Sequence, residues 1–199
     1  MTKKREEVPY WDSYFMGLAA IASFRSKDPN TQNGACLIRD DSPIALGYNG
    51  FPRGCSDDEF PWSSPEKLAY AEHAERNAIY NAARKGIATE GAVLYLYSER
   101  GYYPCADCAR AIIQAGITRV VMAYSINEDT ENWHWGEPLK MFESAGVIIR
   151  VVSDSVKGKG VNYDDWPEHV PIAVEGLVRD FRLMAKKLEE AADKIMGDV

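Results

Sequence analysis

Two short segments, HAE at 73–75 and PCADC at 104–108, constrain this chain more than anything else in it. Each opens a stretch of helical periodicity, and the apolar run AVLYLY (92–97) lies between them. A helix, a buried strand and a second helix in that order imply crossover connections and parallel strands. Helices that leave neighbouring strand ends of one sheet lie side by side. The first turns that carry His73, Glu75, Cys105 and Cys108 therefore meet at one sheet edge.

The remaining pattern extends the same architecture. Apolar positions 11, 14, 15, 18, 21, 22 and 24 follow helical spacing, with Pro9 in the entry turn, and predict a helix over about 9–26. GACLIRD and PIALGYNG read as two strands of a hairpin. A Pro-, Gly- and Asp-rich loop follows, then a helix from about 66 or 72 to 85 that stops at Gly86. Beyond AVLYLY come a third helix ended by Gly116, the strand TRVVMAY, a short helix ended by Gly146 and the strand VIIRVV. Residues 152–169 are polar, and an apolar stripe from 170 to 195 predicts a long amphipathic helix over about 171–196. The expectation is an α/β fold, three layers α-β-α around a five-stranded mixed sheet. Its domain spans 1–151; 152–199 add a linker and C-terminal helix, part of the same unit or an oligomer contact.

Cys105 and Cys108 are neighbours on a helix surface, so both sulfurs can point one way. A helix N-terminus favours the thiolate. Two thiolates make half of a tetrahedral zinc site, and a lone pair at this spacing is otherwise two ordinary cysteines. His73 supplies a third donor. Residues two apart face different sides of a helix, but both can reach a site lying off its end. A metal just beyond the helix tip thus explains why Glu75 follows His73 so closely, with Glu75 sitting deeper. Two thiolates, a neutral imidazole and Zn²⁺ sum to zero and leave the fourth position to water, whose pKa such an ion brings towards ~7. Glu75 is the base that takes its proton and returns it to a ring nitrogen and a departing amine. A structural zinc module would instead close the fourth position, with Cys55 the candidate. Cys36 reads as a small buried residue, and nothing places His134 or His169 at a second metal, so one zinc is expected.

Bulk properties narrow the partners. The 199 residues carry a net charge of −7, with no concentrated Lys/Arg run, which argues against a polynucleotide and for a small ligand held by a few cations. No apolar run is long enough to span a bilayer, and no apolar segment follows the charged N-terminus, so a cytoplasmic protein is expected.

His-x-Glu followed by Pro-Cys-x-x-Cys is the signature of zinc nucleobase deaminases. With WDSYFMGLAAIASFRSKDPNTQNGACLI, GYNGFPRGCSDD, HAERNAI and CARAIIQAGI, the chain resembles the deoxycytidylate deaminases over about residues 9–150. The resemblance implies a cytidine-deaminase-like fold, hydrolysis of dCMP to dUMP and ammonia, and a homo-oligomer, a hexamer being favoured. It implies that His73, Cys105 and Cys108 bind zinc and that Glu75 shuttles protons. Asn49 would bond the sugar hydroxyl and the Ala74 N–H the pyrimidine carbonyl. Arg25 extends the stripe 14, 18, 21 of the first helix; it is either a snorkelling arginine or the partner of the 5′-phosphate, and the resemblance favours the latter. Gly47, Asn49, Gly50 and Arg53 would serve a site for the effectors dCTP and dTTP, with Mg²⁺ accompanying the triphosphate. The chain departs from the pattern at SERGYYPC, at ENWHWGEP and in the tail from 152. There Trp133 and Trp135 lie where a base or sugar could stack, although surface or interface packing is the plainer account. Another pyrimidine nucleotide, such as dCTP or a 5-modified dCMP, or a nucleoside is the alternative substrate.

Overall fold

The structure is a computed structural model that describes residues 8–98, 103–124, 136–153 and 174–197. Its elements are α1 (Trp11–Ser23), β1 (Asn33–Arg39), β2 (Ser42–Tyr48), α2 (Ala74–Arg84), β3 (Val93–Ser98), α3 (Ala106–Gln114), β4 (Arg119–Tyr124), α4 (Gly136–Ala145), β5 (Ile148–Ser153) and α5 (Val174–Gly197). One five-stranded sheet runs in the order β2-β1-β3-β4-β5. The hairpin and the β1–β3 pair are antiparallel, and β3–β4 and β4–β5 are parallel, as crossovers through α3 and α4 require.

Strand alternation separates two cores. Ala35, Leu37, Leu94, Leu96, Val120 and Met122 face the side covered by α2, α3 and α4. Cys36, Ile38, Tyr95 and Val121 face Phe15, Met16 and Ala19 of α1. The sheet is thus sandwiched between helical layers, and α5 runs against α1. No helix among the described residues is long and apolar enough to cross a membrane.

Close helix–sheet approach depends on two glycines. A Cβ on Gly34 would stand 1.9 Å from the Ala19 carbonyl oxygen of α1, and one on Gly47 would stand 2.3 Å from that of Ala74 in α2. The buried face of α2 is correspondingly small, being lined by Ala74, Ala78 and Ala82. Asn77 and Asn81 of α2 donate to the Tyr48 and Leu46 carbonyls at 2.7 and 2.8 Å. These bonds satisfy outward-facing carbonyls of the edge strand β2 and fix the helix along it.

Four expectations are adjusted. The first helix ends at Ser23 and not near 26, and Arg25 lies in the turn beyond it. The stripe through Tyr14 and Ile21 is exposed; the buried face is Phe15, Met16, Ala19, Ala20, Ala22 and Ser23. The segment 66–85 is not one helix but a 3₁₀ turn, Glu66–Ala69, and α2 from Ala74. The tail helix begins at Val174 and not near 171. The expected linker falls largely in 154–173, outside the described residues.

Candidate active site and metal centre

His73 and Cys105 are the N-caps of α2 and α3. Both have extended backbone, and neither side chain bonds a first-turn amide as an N-cap serine or aspartate would. Cys108 stands one turn into α3. The two sulfurs lie each 3.5 Å from His73 Nδ1. The three donor atoms are mutually within 4.8 Å, and they form a cluster of metal-ligand type among the described residues. A tetrahedral zinc with Zn–S of about 2.3 Å and Zn–N of about 2.0 Å has an N···S edge of about 3.5 Å, so the donor set fits that ion in chemistry and spacing. Cys55, the candidate closing ligand of a structural module, is exposed and outside the cluster.

Electrostatics follow from the contacts. Cys105 is pulled down to about 3 by hydrogen bonds from Cys108 and then His73, against burial. His73 is raised to about 9, chiefly by its bond to that thiolate. Cys108 is raised, because its thiol donates to Cys105 and because it is buried. A thiolate–imidazolium pair with a thiol beside it is the metal-free form of a donor set that zinc would deprotonate. Glu75 is 5% exposed, and burial raises its pKa against the pull of His73. Its carboxyl also lies against the Cys108 sulfur. Glu75 is in the same first turn of α2 as the end of His73's cap, rather than deeper in the helix.

Glu72, which the sequence pattern did not single out, holds the tip of α2. Its Oε1 accepts from the His73 amide at 3.0 Å and from Arg76 Nε at 2.5 Å. Its backbone pairs with Gly50 in both directions. Next to Gly50, Asn49 is buried with its amide committed to the protein. Oδ1 accepts from Asn33 N at 2.8 Å, and Nδ2 donates to the Thr31 carbonyl at 2.8 Å. Nδ2 also approaches Asp28 Oδ2 at 3.4 Å, and Asp28 is itself paired with buried Lys67 at 2.6 and 2.9 Å. Only the second lone pair of Asn49 Oδ1 remains for a sugar hydroxyl.

The other expected residues divide. Ala74 is fully buried at the first position of α2, where its N–H has no intrahelical acceptor. Arg25 is exposed and meets no acidic partner among the described residues. Trp133 lies outside the described residues. The four effector candidates lie at the end of β2 and in the residues that follow it. Gly47 is packed beneath Ala74 and Ala78, so it offers no surface to a ligand, and that expectation is withdrawn on steric grounds. Arg53 reaches back to Asn81 Oδ1 at 2.9 Å, while Gly50 is buried and bonded to Glu72.

The chain is similar to known proteins. The cytidine and deoxycytidylate deaminase zinc-binding region matches residues 9–124. A probable deoxycytidylate deaminase of Drosophila melanogaster is 38% identical over 186 residues, 87% of this chain and 88% of that one. The deoxycytidylate deaminase of Homo sapiens is 39% identical over 155 residues, 74% and 83% of the two chains. The dCMP deaminase of cyanophage S-TIM5, solved in complex with dCMP and dUMP, shares the fold at a TM-score of 0.56 and 23% identity, over 74% of this chain and 100% of that one. With the signature residues drawn together at two helix tips and the match running through both, the chain belongs to the cytidine and deoxycytidylate deaminase family.

Proposed function

We propose that the protein is a zinc-dependent hydrolase that converts dCMP and water to dUMP and ammonia. The observation that carries this is the pairing of a three-donor metal cluster with a buried carboxyl at the same helix tip. The relatives named deoxycytidylate deaminases supply the substrate class. His73, Cys105 and Cys108 hold the ion, which when bound acidifies water and supplies Lewis-acid activation. Glu75 takes the proton of the water that attacks C4 and delivers it to N3. It then takes the remaining proton from the C4 hydroxyl and gives it to the amino group as the C4–N bond breaks, so ammonia leaves and the oxygen stays as the product's carbonyl. The raised pKa of Glu75 suits a group that must alternate between base and acid.

The Ala74 N–H holds the pyrimidine carbonyl, and Arg25, without an acidic partner among the described residues, takes the 5′-phosphate. Asn49 holds the sugar edge through the remaining Oδ1 lone pair. Copies of the chain assemble through apolar surface: Trp11, Tyr14, Ile21 and Phe24 are exposed on or just beyond α1, which supports a homo-oligomer, with the hexamer favoured. Control by dCTP and dTTP, with Mg²⁺ as companion of the triphosphate, is the regulatory extension. It predicts a sigmoidal dCMP response that dCTP sharpens.

A substrate panel on zinc-loaded protein tests the proposal. Ammonia release and the ultraviolet change on dCMP, dCTP, 5-methyl-dCMP and deoxycytidine are compared, each with and without dCTP. Highest kcat/KM on dCMP is expected. No turnover of dCMP with the metal bound overturns the substrate assignment.

A further inference from the structure

Three polar side chains stand in one row across the sheet. Ala35 is opposite Gly47, and Gly34 opposite Tyr48, so the next residue of β1, Asn33, meets Asn49. Backbone bonds connect them: Asn33 N donates to Asn49 Oδ1, and Asn49 N donates to Asn33 O at 3.3 Å. On its other side Asn33 is paired with Ser98, the last residue of β3.

Alternation fixes the face of this row. Asn33 continues the series of Ala35 and Leu37, and Ser98 continues that of Leu94 and Leu96, all in the core beneath α2, α3 and α4. Gly47, one row further in, lies under Ala74 and Ala78 at the start of α2. The polar row therefore lies at the tip of α2, on the side of the sheet where His73 and Glu75 sit. Two rows of apolar residues end there in amide, amide and hydroxyl.

The amide of Asn49 is committed within the protein, as described above. Asn33 Oδ1 and Ser98 Oγ are not: both are buried, and neither meets a partner among the described residues. Ser98 is 4% exposed. A buried polar atom without a hydrogen bond costs free energy, and native proteins retain few of them. Directly opposed residues of antiparallel strands hold their Cβ atoms about 4.5–5.5 Å apart, so one ligand atom can reach both side chains. The amide oxygen only accepts, while the serine hydroxyl can donate. Their joint complement is a group that donates once and accepts once.

We infer that Asn33 and Ser98 form a hydroxyl-reading pair in the substrate pocket. A substrate hydroxyl donates to Asn33 Oδ1 and accepts from the Ser98 hydroxyl. The inference rests on the deaminase reading above and adds a specificity determinant to it. A pyrimidine nucleotide presents a hydroxyl from one of two sources, the sugar or a hydroxyalkyl substituent on the base.

The test uses the zinc-loaded full-length protein and four nucleotides: 2′,3′-dideoxy-CMP, dCMP, CMP and 5-hydroxymethyl-dCMP. Each is assayed by ammonia release with wild type, Asn33→Val, Ser98→Ala and the double variant. The wild type is expected to favour one hydroxyl-bearing nucleotide over its counterpart without that hydroxyl by about tenfold or more in kcat/KM. The ratio falls to about 1 in the double variant, with Ser98→Ala intermediate. The step of the series at which it falls identifies sugar or base as the source. Melting temperature and zinc content confirm that each variant is folded, and Ser98→Ala serves alone should Asn33→Val fail that check. Ratios that are the same in wild type and variants overturn the pair while leaving the deaminase reading intact. Failure of the wild type on all four nucleotides overturns the reading and the pair with it.

Discussion

Each face of the sheet carries a polar cluster at least partly buried, and the two clusters differ in how their charges are balanced. On the α1 face, Asp12 accepts from Arg150 Nη1 at 2.7 Å through one oxygen and from the Tyr95 hydroxyl through the other. Burial and the neighbouring Asp12 both raise Tyr95, which stays neutral at every ordinary pH. That cluster ties α1 to β3 and β5 and has no proton to give. On the opposite face, His73, Cys105, Cys108 and Glu75 share protons among groups shifted in both directions. Burial alone is common to both faces and marks neither as functional. What separates them is convergence at two helix N-termini, metal-edge spacing and a buried carboxyl that pairs with no lysine or arginine among the described residues.

The contrast breaks most readily at Glu75. Glu75→Gln should lower kcat by about 10³-fold or more while zinc content and melting temperature stay at the wild-type level. Wild-type activity in that variant would place the proton relay elsewhere. A smaller effect sharpens the comparison through pH. Below about 9, zinc must displace the proton of His73, and it must also displace the proton of Cys108, whereas Cys105 is already a thiolate above about 3. Apparent zinc affinity should therefore rise with pH by roughly two decades per unit between about 6.5 and 8.5, read by chelator competition. A flat profile would mean that the donors are already deprotonated in the metal-free protein. The smallest effect belongs to the α1 face. Asp12→Asn should cost about 1–3 kcal/mol in urea unfolding with kcat on dCMP unchanged, because it weakens a partly buried pair far from the chemistry. A loss of kcat at unchanged zinc content would show that the two faces are coupled.

The parts of the molecule that could be read from sequence are those set by local spacing. Cys105 and Cys108 are one helical turn apart, glycines 86, 116 and 146 follow α2, α3 and α4, and the succession of helices and strands follows from alternating periods. The face that α1 buries is not legible from apolar spacing, for a physical reason. Three of its large apolar side chains, Trp11, Tyr14 and Ile21, are exposed, while beyond Phe15 and Met16 its buried face is small, so bulk alone does not mark the inward side. Small residues are buried there because Gly34 brings the helix close to β1. The buried Lys67–Asp28 pair that steadies Asn49 joins residues 39 positions apart, and no local pattern encodes it. Asn33 and Ser98 lie between these cases. Each is a polar residue at an inward position of an alternating strand, a signal that is present in the sequence but gains meaning only when register sets the two side by side.

X-ray absorption at the zinc edge tests the central claim most directly. The account predicts one zinc per chain with two sulfur ligands at about 2.3 Å, one imidazole nitrogen at about 2.0 Å and one non-protein oxygen completing the shell. A third sulfur or a second imidazole in that shell would contradict it, because no open position would then stand beside Glu75.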